Sequence, residues 1–125
     1  MKFLVVDAGL ALEPMLRTII DADFPGAQLY STTDREQALD LVERIHPDVV
    51  VLAIPSPSSE GLSLCQSIRQ RSESIIMAVI STGSVHDRIE AFEMGADDCV
   101  DYPFYLREMS LRIKARLRAR CRDVR

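Results

Sequence analysis

The sequence has no apolar run approaching the roughly 20 residues that span a bilayer, which excludes a transmembrane helix. It has no Gly-x-Gly-x-x-Gly or Walker A loop, so nucleotide binding finds no support. No Gly-x-Ser-x-Gly elbow surrounds a serine, and His86 is the only histidine near Ser56, Ser58, Ser59 or Ser81, which excludes the usual serine hydrolase arrangements. The three cysteines, Cys65, Cys99 and Cys121, form no Cys-x-x-Cys pair and have only His46 and His86 as possible co-ligands. They read as reduced thiols of a cytoplasmic protein, not as a metal or redox centre. No linker, internal repeat or low-complexity tract divides the 125 residues, which suit one domain with one hydrophobic core. The opening Met1–Asp7 turns acidic too early for a secretory signal and reads as a buried first strand.

The chain does contain a regular alternation. Lys2–Val6, Ala27–Tyr30, Val49–Ile54, Ile75–Ile80 and Cys99–Val100 are short apolar runs. The third and fourth are apolar at nearly every position, as strands covered on both faces are. Between them, Leu10–Ala22, Asp34–Ile45, Gly61–Arg69 and Arg88–Met94 carry helical spacing, and Met109, Ile113, Leu117 and Cys121 form a stripe every four residues. Pro14 places the start of the first helix near Glu13 or distorts its opening turn. Arg88–Met94 sets Ile89, Phe92 and Glu93 across two faces and stops at Gly95. Five strands alternating with five helices predict βαβ units, right-handed crossovers and a doubly wound parallel sheet. In such a sheet the functional crevice lies at the carboxyl ends of the strands. That rule selects residues 7–9, 53–57, 80–83 and 101–103.

Charge is unevenly placed. Residues 107–125 hold eight of the 15 basic residues against only Glu108 and Asp123, although the whole chain carries a net −4. The arginines read as the solvated face of the last helix, since the acidic body of the chain would repel nucleic acid phosphate.

Four segments, Phe3-Leu4-Val5-Val6-Asp7, Pro47–Ala53, Gly95-Ala96-Asp97-Asp98 and Tyr102-Pro103-Phe104, stand in the order and spacing of response-regulator receiver domains, which the chain resembles along essentially its whole length. The resemblance implies a CheY-like (βα)5 fold with strand order 2-1-3-4-5, a receiver-like domain over residues 1–120, and a linker or tail beginning at 121–125. A working receiver needs an acidic pair, a phosphoacceptor aspartate, a hydroxyl and a lysine. The carboxylates hold Mg²⁺, and the metal and lysine neutralise the charge that develops in phosphoryl transfer. Here Asp7 is kept, while Ala8, Ala53, Ile80 and Tyr102 occupy the other four positions. Alanine accepts no phosphoryl group, and one carboxylate is a poor site for a cation that demands several oxygens. The resemblance therefore implies a degenerate, non-enzymatic receiver with absent or weak Mg²⁺ binding and a less polar pocket filled by Ala53, Ile80 and Tyr102. It also implies a cis bond at Tyr102-Pro103.

The nearest likeness is to the OmpR/PhoB class, whose receivers dimerise through the fourth helix, fifth strand and fifth helix. On the matching positions, that face implies intersubunit pairs Arg88–Glu108, Glu93–Lys114, and Asp97 or Asp98 with Arg112. It implies a homodimer, a histidine kinase or other signalling protein as a further partner, and DNA contact only through a winged-helix domain outside this chain. Two alternatives remain at the level of sequence: a stand-alone adaptor that docks a partner, and a phosphoacceptor that uses a non-standard residue such as Asp7 or Asp48.

Overall fold

The computed structural model describes residues 1–123, with residues 122 and 123 by backbone only. Strands β1 (Lys2–Val6), β2 (Gln28–Thr32), β3 (Val49–Ile54), β4 (Ile75–Ile80) and β5 (Asp98–Asp101) alternate with helices α1 (Leu12–Asp23), α2 (Arg35–Ile45), α3 (Ser59–Arg71), α4 (Val85–Glu93) and α5 (Leu106–Asp123). All pairings are parallel and the order is β2-β1-β3-β4-β5, as expected. Every residue of β3 and β4 is buried, because helices cover both faces of the sheet. One core lies beneath α2, α3 and α4 and includes Leu52, Ile54, Ile68 and Ile80. The other lies beneath α1 and α5 and includes Phe3, Val51, Leu16 and Ile113.

Local chemistry explains where the elements depart from their expected limits. Helix α1 begins at Leu12 and not at Leu10 because Ala11 takes a left-handed conformation (φ 55°) and the preceding amides turn toward Asp7. Pro14 then falls in the first turn, where it breaks no hydrogen bond. Strand β2 runs two residues beyond Tyr30, since Ser31 and Thr32 pair with Val5 and Val6 at the sheet edge. Helix α4 starts at Val85, three residues before Arg88, because the Ser84 hydroxyl accepts the Asp87 amide at 3.2 Å and caps it. Helix α5 runs to Asp123, so residues 121–123 continue that helix. Residues 124–125 lie outside the described residues.

The order reverses between β1 and β3, from which the chain proceeds to opposite sides of the sheet. This switch point fixes where a crevice opens. A second tie fixes the far side. Arg69 on α3 donates to the carbonyls of Gly95 (3.0 Å) and Ser72 (3.1 Å) and to the Asp97 carboxylate (2.7 Å), which also accepts the Ile76 amide at 2.8 Å.

Candidate functional site

Asp7, at the carboxyl end of β1, is half-buried and already engaged. One oxygen accepts the Leu10 amide at 3.0 Å and the other the Leu12 amide at 2.8 Å. The Leu12 amide is one of the donors that the first turn of α1 leaves without an intrahelical partner, and the Leu10 amide belongs to the turn before it. The carboxylate therefore acts as the helix cap that Ala11 cannot supply. Ala8 follows, exposed, and Ala53 lies across the switch point, 3% exposed, with its methyl in the core beneath α1 and α5. Of the five positions matched to receiver chemistry, Asp7 alone is acidic. With both its oxygens committed to amides, this set does not suit Mg²⁺, which requires near-octahedral oxygen ligation.

Ile80 lies on the other face of the sheet from Ala53, whereas Tyr102 packs over the same core as Ala53. Ile80 pairs with Ile54 while Ala53 pairs with Val79, so the pleat sends the Ile80 side chain into the core beneath α3 and α4, fully buried. Tyr102 donates its amide to the Ile80 carbonyl at 2.8 Å, and its ring packs edge-on against Phe104 over the opposite core. The pocket expected to be filled jointly by Ala53, Ile80 and Tyr102 is thus divided between two faces of the sheet. The Tyr102-Pro103 bond is cis, as expected, and Ser56-Pro57 is cis as well.

A cleft of about 630 Å³ opens instead beside Asp7, Ala8 and Ala53, on the side of α2 and α3. Val6, Leu52, Leu64, Pro55 and Pro57 give it apolar walls, and Thr33, Arg35 and Glu60 bring polar groups to it. Arg35 was missed in the sequence, although the β2–α2 turn also lies at a strand carboxyl end and the same topological rule covers it. Near it, the Ser58 hydroxyl donates to Asp87 at 2.9 Å and links the β3–α3 loop to α4. The hydroxyls of Thr82 and Ser58 hold the Asp87 carboxyl below the usual carboxylate range.

The second candidate surface is the edge formed by α4, β5 and α5. Arg88 on α4 donates to Asp101 at the end of β5 at 2.9 Å, and Arg112 on α5 reaches Asp98 at its start at 3.3 Å. Both helices are therefore tied to one edge strand. Several expected intersubunit charges are engaged within the chain. Arg88 faces Asp101 and not Glu108, and Arg112 also holds Glu108 at 3.1 Å. Asp97 is held by Arg69, while Lys114 turns toward Asp23 (3.9 Å) and lies over the Phe24 ring, on the α1 side. Glu93 is exposed. The sequence did not reveal the apolar character of this edge. Only Ala91 of α4 is buried, while Val85, Ile89 and Phe92, at helical spacing on one stripe, are 62%, 53% and 46% exposed. Tyr105, Leu106 and Leu111 are also exposed.

No helix among the described residues is long and apolar enough to cross a membrane. Residues 3–114 match the model of the response regulator receiver domain. The chain is 38% identical over 117 residues to a probable transcriptional regulator ycf27 of Guillardia theta, covering 94% of this chain and 45% of that protein. It thus spans about half the length of the curated relatives it matches. The receiver domain of the TMAO respiratory system response regulator TorR superposes with a TM-score of 0.80 at 28% identity, covering 93% of this chain and 95% of that one. A CheY-like receiver domain protein of Methanospirillum hungatei JF-1 shares the fold, with a TM-score of 0.84 at 20% identity over 98% of this chain and 97% of that one. A five-stranded parallel sheet in this order, a crevice at its switch point and a family match over almost all of its length place this chain in the response regulator receiver domain family.

Proposed function

We propose that this chain is a phosphorylation-independent receiver that signals through self-association across the α4–β5–α5 edge, without enzymatic activity and without Mg²⁺. The observation that carries this reading is the exposed apolar stripe of Val85, Ile89 and Phe92. Scattered apolar residues on a surface are ordinary, but a contiguous stripe on an otherwise charged helix marks a contact surface. A two-fold dimer presents the same patch from both copies, so an apolar stripe flanked by both charge signs is self-complementary. Arg88, Glu93, Glu108 and Arg112 supply that rim, where charges set register more than affinity. Asp98 supports the face from beneath as the partner of Arg112, and Asp97 and Lys114 serve the fold of one chain.

A receiver with an acceptor shifts between two states when phosphorylated. With Ala53 in that position, the packing of one state or a bound ligand must set the equilibrium. The relatives named as transcriptional regulators are about twice as long as this chain. We assign it accordingly to the regulatory part of a cytoplasmic transcription factor, with DNA contacted by a winged-helix domain outside these residues and a histidine kinase or other signalling protein as a further partner. Sedimentation equilibrium without any phosphoryl donor tests the reading. A dimer at micromolar concentration is expected, unchanged by acetyl phosphate with Mg²⁺. A monomer, or stoichiometric acyl-phosphate formation by mass spectrometry, overturns it.

A further inference from the structure

We propose that the cleft at the carboxyl ends of β1 and β3 binds a small apolar carboxylic acid, with its ring or chain against Leu52, Leu64 and Pro57 and its carboxylate on Arg35. Its volume of about 630 Å³ falls within the roughly 300–1,000 Å³ of sites that enclose small ligands. Such sites pair apolar walls with a few converging polar groups, and this one has that composition: Leu52, Ala53, Leu64 and Pro57 beside Arg35 and Thr33.

The charge of the ligand follows from which charged groups are already satisfied. Asp7 spends both oxygens on the amides that open α1. Glu60 lies in the first turn of α3, where the helix dipole offsets a negative charge. Arg35 differs. Its Nη2 donates to the neutral hydroxyls of Ser63 (3.3 Å) and Ser67 (3.1 Å), and among the described residues no carboxylate pairs with it. Those two bonds hold Nη2 in place and leave Nε and Nη1 free to donate a charge-assisted hydrogen bond to a carboxylate. Ala8 matters twice: it brings no carboxylate that would repel an anion, and its exposed methyl group favours an apolar body.

The cleft is distinct from the arrangement that phosphoryl transfer requires, since neither Ile80 nor Tyr102 lines it. It is also distinct from the α4–β5–α5 edge, so a monomeric chain that binds the ligand would refute the proposed dimer and leave this site standing.

The test uses 2-naphthoate, with 2-naphthamide and 2-naphthylmethylammonium as neutral and cationic counterparts, titrated into the full chain and read by amide chemical shifts. Saturable binding of 2-naphthoate is expected, with shifts centred on Ala8, Ala53, Gly61 and Leu64. The amide should bind about tenfold more weakly or worse, as a lost charge-assisted contact implies. Arg35→Gln should weaken 2-naphthoate to the level of the amide. Ala8→Phe, at an exposed position, should block all three compounds without altering the thermal unfolding curve. The proposal is overturned if nothing saturates below about 1 mM, if the ammonium compound binds as well as the acid, if the shifts centre elsewhere, or if Arg35→Gln binds 2-naphthoate unchanged.

Discussion

Replacing Phe92 with alanine separates the proposed association surface from the fold. The ring is 46% exposed in the single chain, so about half of its area is still in contact with water. Complete burial of a phenylalanine contributes roughly 1.5–3 kcal/mol, which leaves about half of that to be gained on association. A two-fold interface counts the residue twice, giving about 1.5–3 kcal/mol for the dimer, or roughly a 10- to 150-fold rise in Kd. The same substitution should lower the unfolding free energy of the monomer by about 0.75–1.5 kcal/mol, the half of that term already realised in the single chain. Sedimentation equilibrium over a concentration series reads the first quantity and urea denaturation of the monomer reads the second. Dissociation unaffected by Phe92→Ala, in a protein whose wild type dimerises, would refute the argument, because no other residue of the stripe has a larger ring to bury. A large loss of monomer stability would refute it differently, by showing that the ring supports the core.

Three further outcomes follow from contacts within the chain. Gly95→Ala should destabilise the fold by about 1–3 kcal/mol in urea, because the residue holds φ 113° and a Cβ there would stand 2.7 Å from the Arg69 side chain; an unchanged midpoint would show that Arg69 moves aside freely. Asp7→Ala should cost about 0.5–2 kcal/mol as a lost helix cap, with hydrogen exchange accelerated at Leu10 and Leu12 and not elsewhere. Burial pushes the Cys65 thiol up to about 11 and the Cys99 thiol up to about 12, so in native protein at pH 8 only Cys121 should react promptly with a disulfide reagent. The two buried thiols stay protonated where an unfolded thiol, near 9.0, has ionised. Their contribution is therefore complete below pH 9 and is lost as pH rises toward 11–12, which urea melts at pH 8 and 10 will show as reduced stability that Cys65→Ala and Cys99→Ala lessen.

The parts of this fold that were legible in the sequence are those where burial dictates residue type. The limits of β1, β3 and β4 agree with the apolar runs, since strands covered on both faces admit few polar residues. β2 and β5 were less legible: Ser31 and Thr32 continue a half-buried edge strand, and acidic residues begin and end β5. The start of α4 was signalled by Ser84 three residues before Asp87, a capping arrangement overlooked in favour of the apolar pattern. The switch-point crevice follows from strand alternation, but its polar wall does not, because Arg35 enters it from the first position of α2, which carries no motif of its own. Nor does spacing alone reveal that Phe92 and Ile89 face water, since a helix stripe looks the same whether it meets a core or a partner. Spacing alone also does not show that Arg88, Asp97, Arg112 and Lys114 each meet an oppositely charged neighbour within their own chain.

The residues at positions 7, 8 and 53 have a structural logic. Ala8 is exposed at the cleft and ties down no backbone, so nothing in the fold depends on a carboxylate there. An acid at position 53 would bring charge to a site 3% exposed, tolerable when metal and lysine compensate it and costly once they are gone. Asp7 differs from both because the Leu10 amide and the first amide of α1, that of Leu12, rely on it. The carboxylate that remains is the one whose removal would leave helix donors without a partner. Its presence is therefore accounted for by folding and is no sign of residual phosphoryl chemistry. Beside that acid the cleft holds the exposed methyl of Ala8 and an arginine that, among the described residues, has no carboxylate partner. On the proposal made above, that combination suits an anion with an apolar body.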